Sequence, residues 1–143
     1  MKNLTLTSIC ALLILLFLYT GFSKFFDMWT FKYDLSNQPF PVMLQHIFLY
    51  AVPITETLIS ILLFFERTRM TGLVAAMGLM ALFTLYTATI LLHFFPFMPC
   101  GCGGVIRMLT WPQHLIFNLF FLSISIWGIT IQRQVNQVKF TPL

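Results

Sequence analysis

The chain has 143 residues, of which 59 % are hydrophobic and 8 % charged, and 17 are phenylalanine. A soluble domain usually carries about 25 % charged residues, so this chain cannot cover a water-facing surface; a soluble globular enzyme, a disordered chain and a nucleic-acid module are excluded, and an integral membrane protein is indicated. The net charge of +4 comes from eight Lys and Arg spread along the chain, which is a signal of topology and not a nucleic-acid patch.

Four apolar stretches follow in order, at about 4–23, 42–65, 71–95 and 115–131. Each supplies the roughly 20 apolar residues a helix needs to cross about 30 Å of hydrocarbon. None has the alternating pattern of a membrane strand, and in lipid the backbone must be satisfied inside a helix or a closed barrel. The expectation is an all-α, four-helix membrane bundle forming one domain over 1–143, with no separate soluble domain. The first stretch lacks a convincing small-x-small cleavage site after Lys2 and its apolar run, and it is read as a retained span. Asn3-Leu4-Thr5 matches a glycosylation acceptor but sits at the membrane edge and is discarded.

The connections are unequal. The first (24–41) is long and mixed, the second (66–70) is a tight turn, and the third (96–114) is long; the tail from Gln132 to Leu143 is polar and is expected to fray. Lys2, Arg67, Arg69, Arg133 and Lys139 fall on one side, and Lys24, Lys32 and Arg107 on the other. That bias places both termini in the cytoplasm and both long connections outside. Trp29 and Trp111 then fall in the outer connections, where an aromatic belt would put them. In the third span Gly72, Ala75, Ala76, Gly78 and Ala81 form a small-residue face suited to close helix packing.

The strongest local signal is Met98-Pro99-Cys100-Gly101-Cys102-Gly103-Gly104 in the third connection. Gly101 and Gly103 give the backbone access to positive φ and let another chain come close. A disulfide between Cys100 and Cys102 would close a small, strained ring, and strained or exposed disulfides are the exchange-competent ones. On an outer membrane face disulfide chemistry is permitted. One reading is therefore a redox pair exchanging with a partner's thiol or disulfide. A second is a static disulfide that pins the loop. A third is a Cu(I) site built from Met98, Cys100 and Cys102 with His93, His114 or Met108, since soft sulfur ligands suit Cu(I). Arg107 would lower a nearby thiol pKa, or contact lipid headgroups. Residues 105–111 suggest a short helix on the outer surface. Cys10, in the first span, reads as a small buried hydrophobe.

Glu56 lies near the middle of the second span. A mid-membrane carboxyl is a functional candidate by default. It should face the bundle interior and meet the hydroxyls of Thr84, Tyr86 or Thr87, acting either as a proton-handling or quinone-polarising acid or as an interhelical hydrogen bond. Pro53 frees a carbonyl one turn back. Lys24 and Asp27 are three apart and suited to pair on one helical face; alternatively Lys24 snorkels to the interface. His46, His93 and His114 fall at one membrane level, as a metal or haem set or as interfacial hydrogen-bonders.

Gly21-x-x-Lys24, Pro53-x-x-Glu56 and Cys100-Gly101-Cys102-Gly103, in this order, resemble the DoxX/MauE-like family of small bacterial four-helix membrane proteins. The cysteine element is closest to the MauE branch, whose Cys-Gly-Cys-Phe-Gly stretch is matched in part: here Gly103 stands at the fourth position, where that stretch has Phe, and Gly104 follows. The resemblance implies a redox-associated bacterial inner-membrane protein acting with a separate, periplasmic thioredoxin-like protein that forms disulfides in a maturing enzyme. DoxX-like and DoxD-like relatives are linked to thiosulfate and quinone chemistry, so a membrane quinone is the implied cofactor. Carried over, Cys100 and Cys102 would be the exchange pair of a thiol-disulfide oxidoreductase component and Glu56 the intramembrane acid, supported by Lys24, Arg107, Gly101 and Gly103. The rival readings are a non-catalytic subunit anchoring a larger membrane complex and a Cu(I)-handling protein.

Overall fold

The computed structural model describes residues 1–94 and 109–140, with side chains as far as residue 138. Among them are five helices: α1 (Lys2–Phe26), α2 (Met28–Ser36), α3 (Val42–Phe64), α4 (Arg69–Leu91) and α5 (Trp111–Phe140). All but α2 are long and apolar enough to cross a membrane. The chain is therefore an all-α, multi-pass membrane protein with no strand among the described residues.

The four long helices form a ring in which α1 packs on α3, α3 on α4, α4 on α5 and α5 on α1. Their contacts fix alternating directions. At one end, a Cβ on Gly72 of α4 would strike Leu63 of α3, and one on Gly128 of α5 would strike Leu73 of α4 and Ile9 of α1. At the other end, Lys24 of α1 reaches Glu56 of α3, and Asn118 of α5 reaches Thr87 of α4. Lipid tails are as apolar as leucine, so this packing rests on close van der Waals fit where small residues let backbones approach. The core runs through Leu13, Phe17, Ile59, Leu63, Leu73 and Met80. Leu15, Leu58, Leu85 and Phe120 point outward and are 68 %, 53 %, 64 % and 56 % exposed, a lipid-facing belt that water would not tolerate.

Two findings depart from the sequence expectation. The first connection holds a helix. Asp27 ends α1, donating its N–H to the Ser23 carbonyl, and starts α2 by accepting from the Thr30 N–H at 3.1 Å; a carboxylate is a favoured N-cap. α2 then docks Phe31 and Leu35 against Leu49 of α3. The polar tail is also helical: α5 continues past Ile131 to Phe140, helped by Gln132 donating to Asn136 one turn on at 2.9 Å and by Val135 packing on the core. Of the surface helix expected over 105–111, only the last three residues are described; Leu109 and Thr110 are not helical and Trp111 begins α5.

Candidate functional site: a buried ion pair beside a polar-edged cavity

Lys24 is 8 % exposed and Glu56 1 % exposed. They meet because of residues placed three earlier on each helix. Gly21 lets α1 lie against α3 at Pro53, Glu56 and Thr57; a Cβ there would already stand 3.2 Å from the Thr57 hydroxyl. Helical side chains lean toward their own N-terminus. On antiparallel neighbours Lys24 and Glu56 therefore lean toward each other.

The ammonium donates to Glu56 Oε1 at 2.9 Å, to Oε2 at 3.0 Å and to the Thr20 carbonyl at 3.2 Å. An ammonium has three N–H groups, so every one is used. The Phe31 ring of α2 lies 5.7 Å from Nζ, within cation–π range. Two charges in a dry bundle are costly alone, and pairing with full hydrogen bonding is what makes them tolerable. The pair is net neutral, so it presents a fixed dipole and no net charge.

This geometry revises two expectations. Lys24 is neither a snorkelling interface charge nor committed to the adjacent Asp27; its ammonium reaches across to α3, while Asp27 caps α2. The hydroxyls expected around Glu56 bond elsewhere. Thr84 donates to the Met80 carbonyl and Thr87 to the Phe83 carbonyl, each at 2.7 Å, and the Tyr86 hydroxyl donates to Gln38 Oε1. Sequence reasoning missed the ion pair, although the signal was present: a mid-membrane carboxylate needs a counter-charge, and Lys24 is the basic residue at the end of a neighbouring span.

Beside the pair lies a cavity of about 330 Å³. All four long helices and α2 contribute to it. Its wall is mostly apolar, and each of the five helices gives it a phenylalanine: Phe17, Phe31, Phe48, Phe83 and Phe117. Its polar edge holds Thr20, Lys24, Glu56, Thr87, His114 and Asn118. Asn118 donates to the Thr87 hydroxyl at 3.2 Å. The His114 ring stacks on Trp111 with centroids 6.2 Å apart, and its Nδ1 is buried with no hydrogen-bond partner among the described residues. Gln38 and Phe40, from the segment before α3, close one side: Phe40 stacks on Tyr86 at 5.3 Å and meets Phe48 edge-on at 5.3 Å. Nothing in the apolar pattern of the sequence announces this space.

Cys100, Gly101, Cys102, Gly103 and Arg107, with Met98 and Met108, lie outside the described residues. Of the alternative copper set, His93 sits just past α4 with φ 55°, exposed, and His114 lines the cavity. His46 is exposed on α3, and the described residues include no group of three His, Cys, Asp or Glu able to hold a metal, so the three imidazoles are not brought together. Cys10 is buried in the core, 3 % exposed. It precedes Lys24 on α1 by 14 positions, about 21 Å along the axis at about 1.5 Å per residue.

A family model described as methylamine utilisation protein MauE matches residues 1–131 of the chain. No curated protein and no solved structure matches it.

Proposed function

We propose that this chain, which belongs to the MauE family, is a single-domain membrane accessory protein that exchanges thiol and disulfide equivalents with a periplasmic thioredoxin-like partner through Cys100 and Cys102. The observation that carries the reading is where the cysteine-bearing connection is anchored. It leaves α4 just beyond Tyr86 and Thr87 and rejoins the bundle at Trp111 and His114, and all four residues line the cavity beside Lys24 and Glu56. The connection that carries the motif thus leaves from and returns to the cavity-bearing end of the bundle, which supports the reading.

In the exchange, a thiolate of the pair attacks a sulfur of the partner's disulfide and expels the other sulfur as thiolate. The second cysteine then attacks the mixed disulfide, leaving an oxidised Cys100–Cys102 pair and a reduced partner; the reverse sequence oxidises the partner. Arg107 favours the thiolate form. Lys24 and Glu56 hold α1 to α3 under this end. The orientation has both termini in the cytoplasm of a bacterium and the cysteines outside the inner membrane. Burial of Lys24 supports it, because only Lys32 and Arg107 then remain as basic residues on the outer side against five on the inner.

Membrane-impermeant alkylation of intact cells, read by mass, tests the reading. Both cysteines labelled only after mild reduction is the expected result. A disulfide that resists mild reductant makes the pair a structural staple, and absence of outer-face labelling under every condition removes the accessible pair.

A further inference from the structure

We propose that the cavity beside the Lys24–Glu56 pair is a binding site for an uncharged lipid alcohol, with its hydroxyl at the polar edge and its apolar tail directed toward the bilayer. The site goes beyond thiol exchange and does not depend on it. Its first support is a pair of polar side chains that the fold buries and leaves unanswered. Asn118 is 5 % exposed and lines the cavity, and its side chain makes a single hydrogen bond among the described residues, to the Thr87 hydroxyl. A carboxamide carries two N–H donors and an acceptor oxygen, so one donor and the oxygen stay unused. One turn earlier on α5, His114 also lines the cavity, and its Nδ1 is buried with no partner among the described residues. Buried polar groups without partners are costly, and a ligand that supplies the missing bonds recovers that cost.

The head that fits is neutral and both donates and accepts. All three N–H groups of Lys24 are taken by Glu56 and the Thr20 carbonyl. Neither member of the pair is free to answer a charged head, and an uncompensated charge in a dry bundle is costly. A hydroxyl donates one hydrogen bond and accepts others. A single oxygen therefore answers Asn118 and His114 together, whichever nitrogen of the imidazole carries the proton. An alkane would fill the space and leave both side chains unanswered.

The rest of the cavity calls for an apolar tail. Its volume of about 330 Å³ falls within the usual range for small-molecule pockets. Leu79, Leu82 and Val52 line it together with the phenylalanines, and Leu82 is 64 % exposed on the lipid-facing surface of α4. The close approach of α4 to α3, at Gly72 and Leu63, lies at the opposite end of the bundle. Beside the cavity, side chains fill the space between these two helices: Phe40 stacks on Tyr86 and meets Phe48 edge-on. A tail leaving past Leu82 stays in apolar surroundings throughout, whereas a water-soluble alcohol gains nothing from that path.

The test uses the full chain in detergent with Trp29→Phe and Trp127→Phe, two exposed residues that do not line the cavity, so that Trp111, which does, reports. The probe is a dodecanol brominated at mid-chain, because bromine quenches tryptophan on contact. The controls are the dodecane and the ionised dodecanoate brominated at the same carbon. Saturable quenching by the alcohol is expected, with neither control saturating over the same concentrations. Asn118→Leu, and Val52→Phe or Leu79→Phe, which fill the cavity, should each raise the half-saturating concentration about tenfold or more. Variants are compared where their melting temperature stays near that of the parent. Three results overturn the proposal without any cavity variant: quenching by the alcohol that rises without saturation, equal saturation by the alkane, which makes the site a slot for apolar chains alone, and equal or tighter binding of the alkanoate, which makes its head group anionic. Well-folded filling variants that bind the alcohol as the parent does also overturn it.

Discussion

Lys24 and Glu56 are 32 positions apart in the chain, and the Lys24 ammonium lies 2.9 and 3.0 Å from the two oxygens of the Glu56 carboxylate in the bundle interior. Removing one partner strands a buried charge, which costs about 3–5 kcal/mol, whereas replacing both by apolar groups of similar size is often neutral. Lys24→Met and Glu56→Leu should each lower the melting temperature of the detergent-solubilised protein sharply, and the double variant should recover most of the loss. A double variant as unstable as the sum of the singles would mean that the two side chains act independently.

The glycines of α4 make a sharper comparison, because the same substitution meets different surroundings on one helix. A Cβ at Gly72 would lie 2.9 Å from the Leu63 backbone nitrogen and 3.0 Å from the Leu62 carbonyl carbon, whereas at Gly78 nothing lies within 4 Å. Gly72→Ala must push α4 off α3 and should cost about 1–3 kcal/mol, as overpacking does. Gly78→Ala should stabilise by up to about 1 kcal/mol through helix propensity. Reversible unfolding in mixed micelles measures both, and equal effects would contradict the packing described.

α4 and α5 are joined near the cavity by the Asn118–Thr87 hydrogen bond at 3.2 Å. Bonds of this kind inside membrane bundles are worth about 0.6 kcal/mol on average and at most about 1.7. A double-mutant cycle with Asn118→Leu and Thr87→Val should return a coupling in that range. A coupling indistinguishable from zero would mean that the bond is not formed in the folded protein.

The spans were legible because crossing hydrocarbon imposes a length and a composition that any window along the chain registers, as in α3 from Val42 to Phe64. α2 was not, because Met28–Ser36 is short and mixed, and its stability comes from the Asp27 cap and from Phe31 and Leu35 docking on Leu49, which are contacts rather than patterns. Glu56 stands out in the sequence by its depth alone, but depth points to the hydroxyls of the third span as readily as to a cation on the first. The actual partner depended on Gly21 bringing α1 close. The cavity was invisible for the same reason: phenylalanines on five helices converge only once the ring of helices is closed.

The most direct test of the account is trapping of a mixed disulfide. In cells carrying Cys102→Ser or Cys100→Ser, the remaining cysteine can attack a partner's disulfide but nothing resolves the product. At least one single variant should accumulate a reductant-sensitive adduct, seen on a non-reducing gel, with a periplasmic thioredoxin-like protein, and Cys100→Ser with Cys102→Ser should show none. Well-folded single variants at parental abundance that form no such adduct would contradict thiol exchange as the function of this protein.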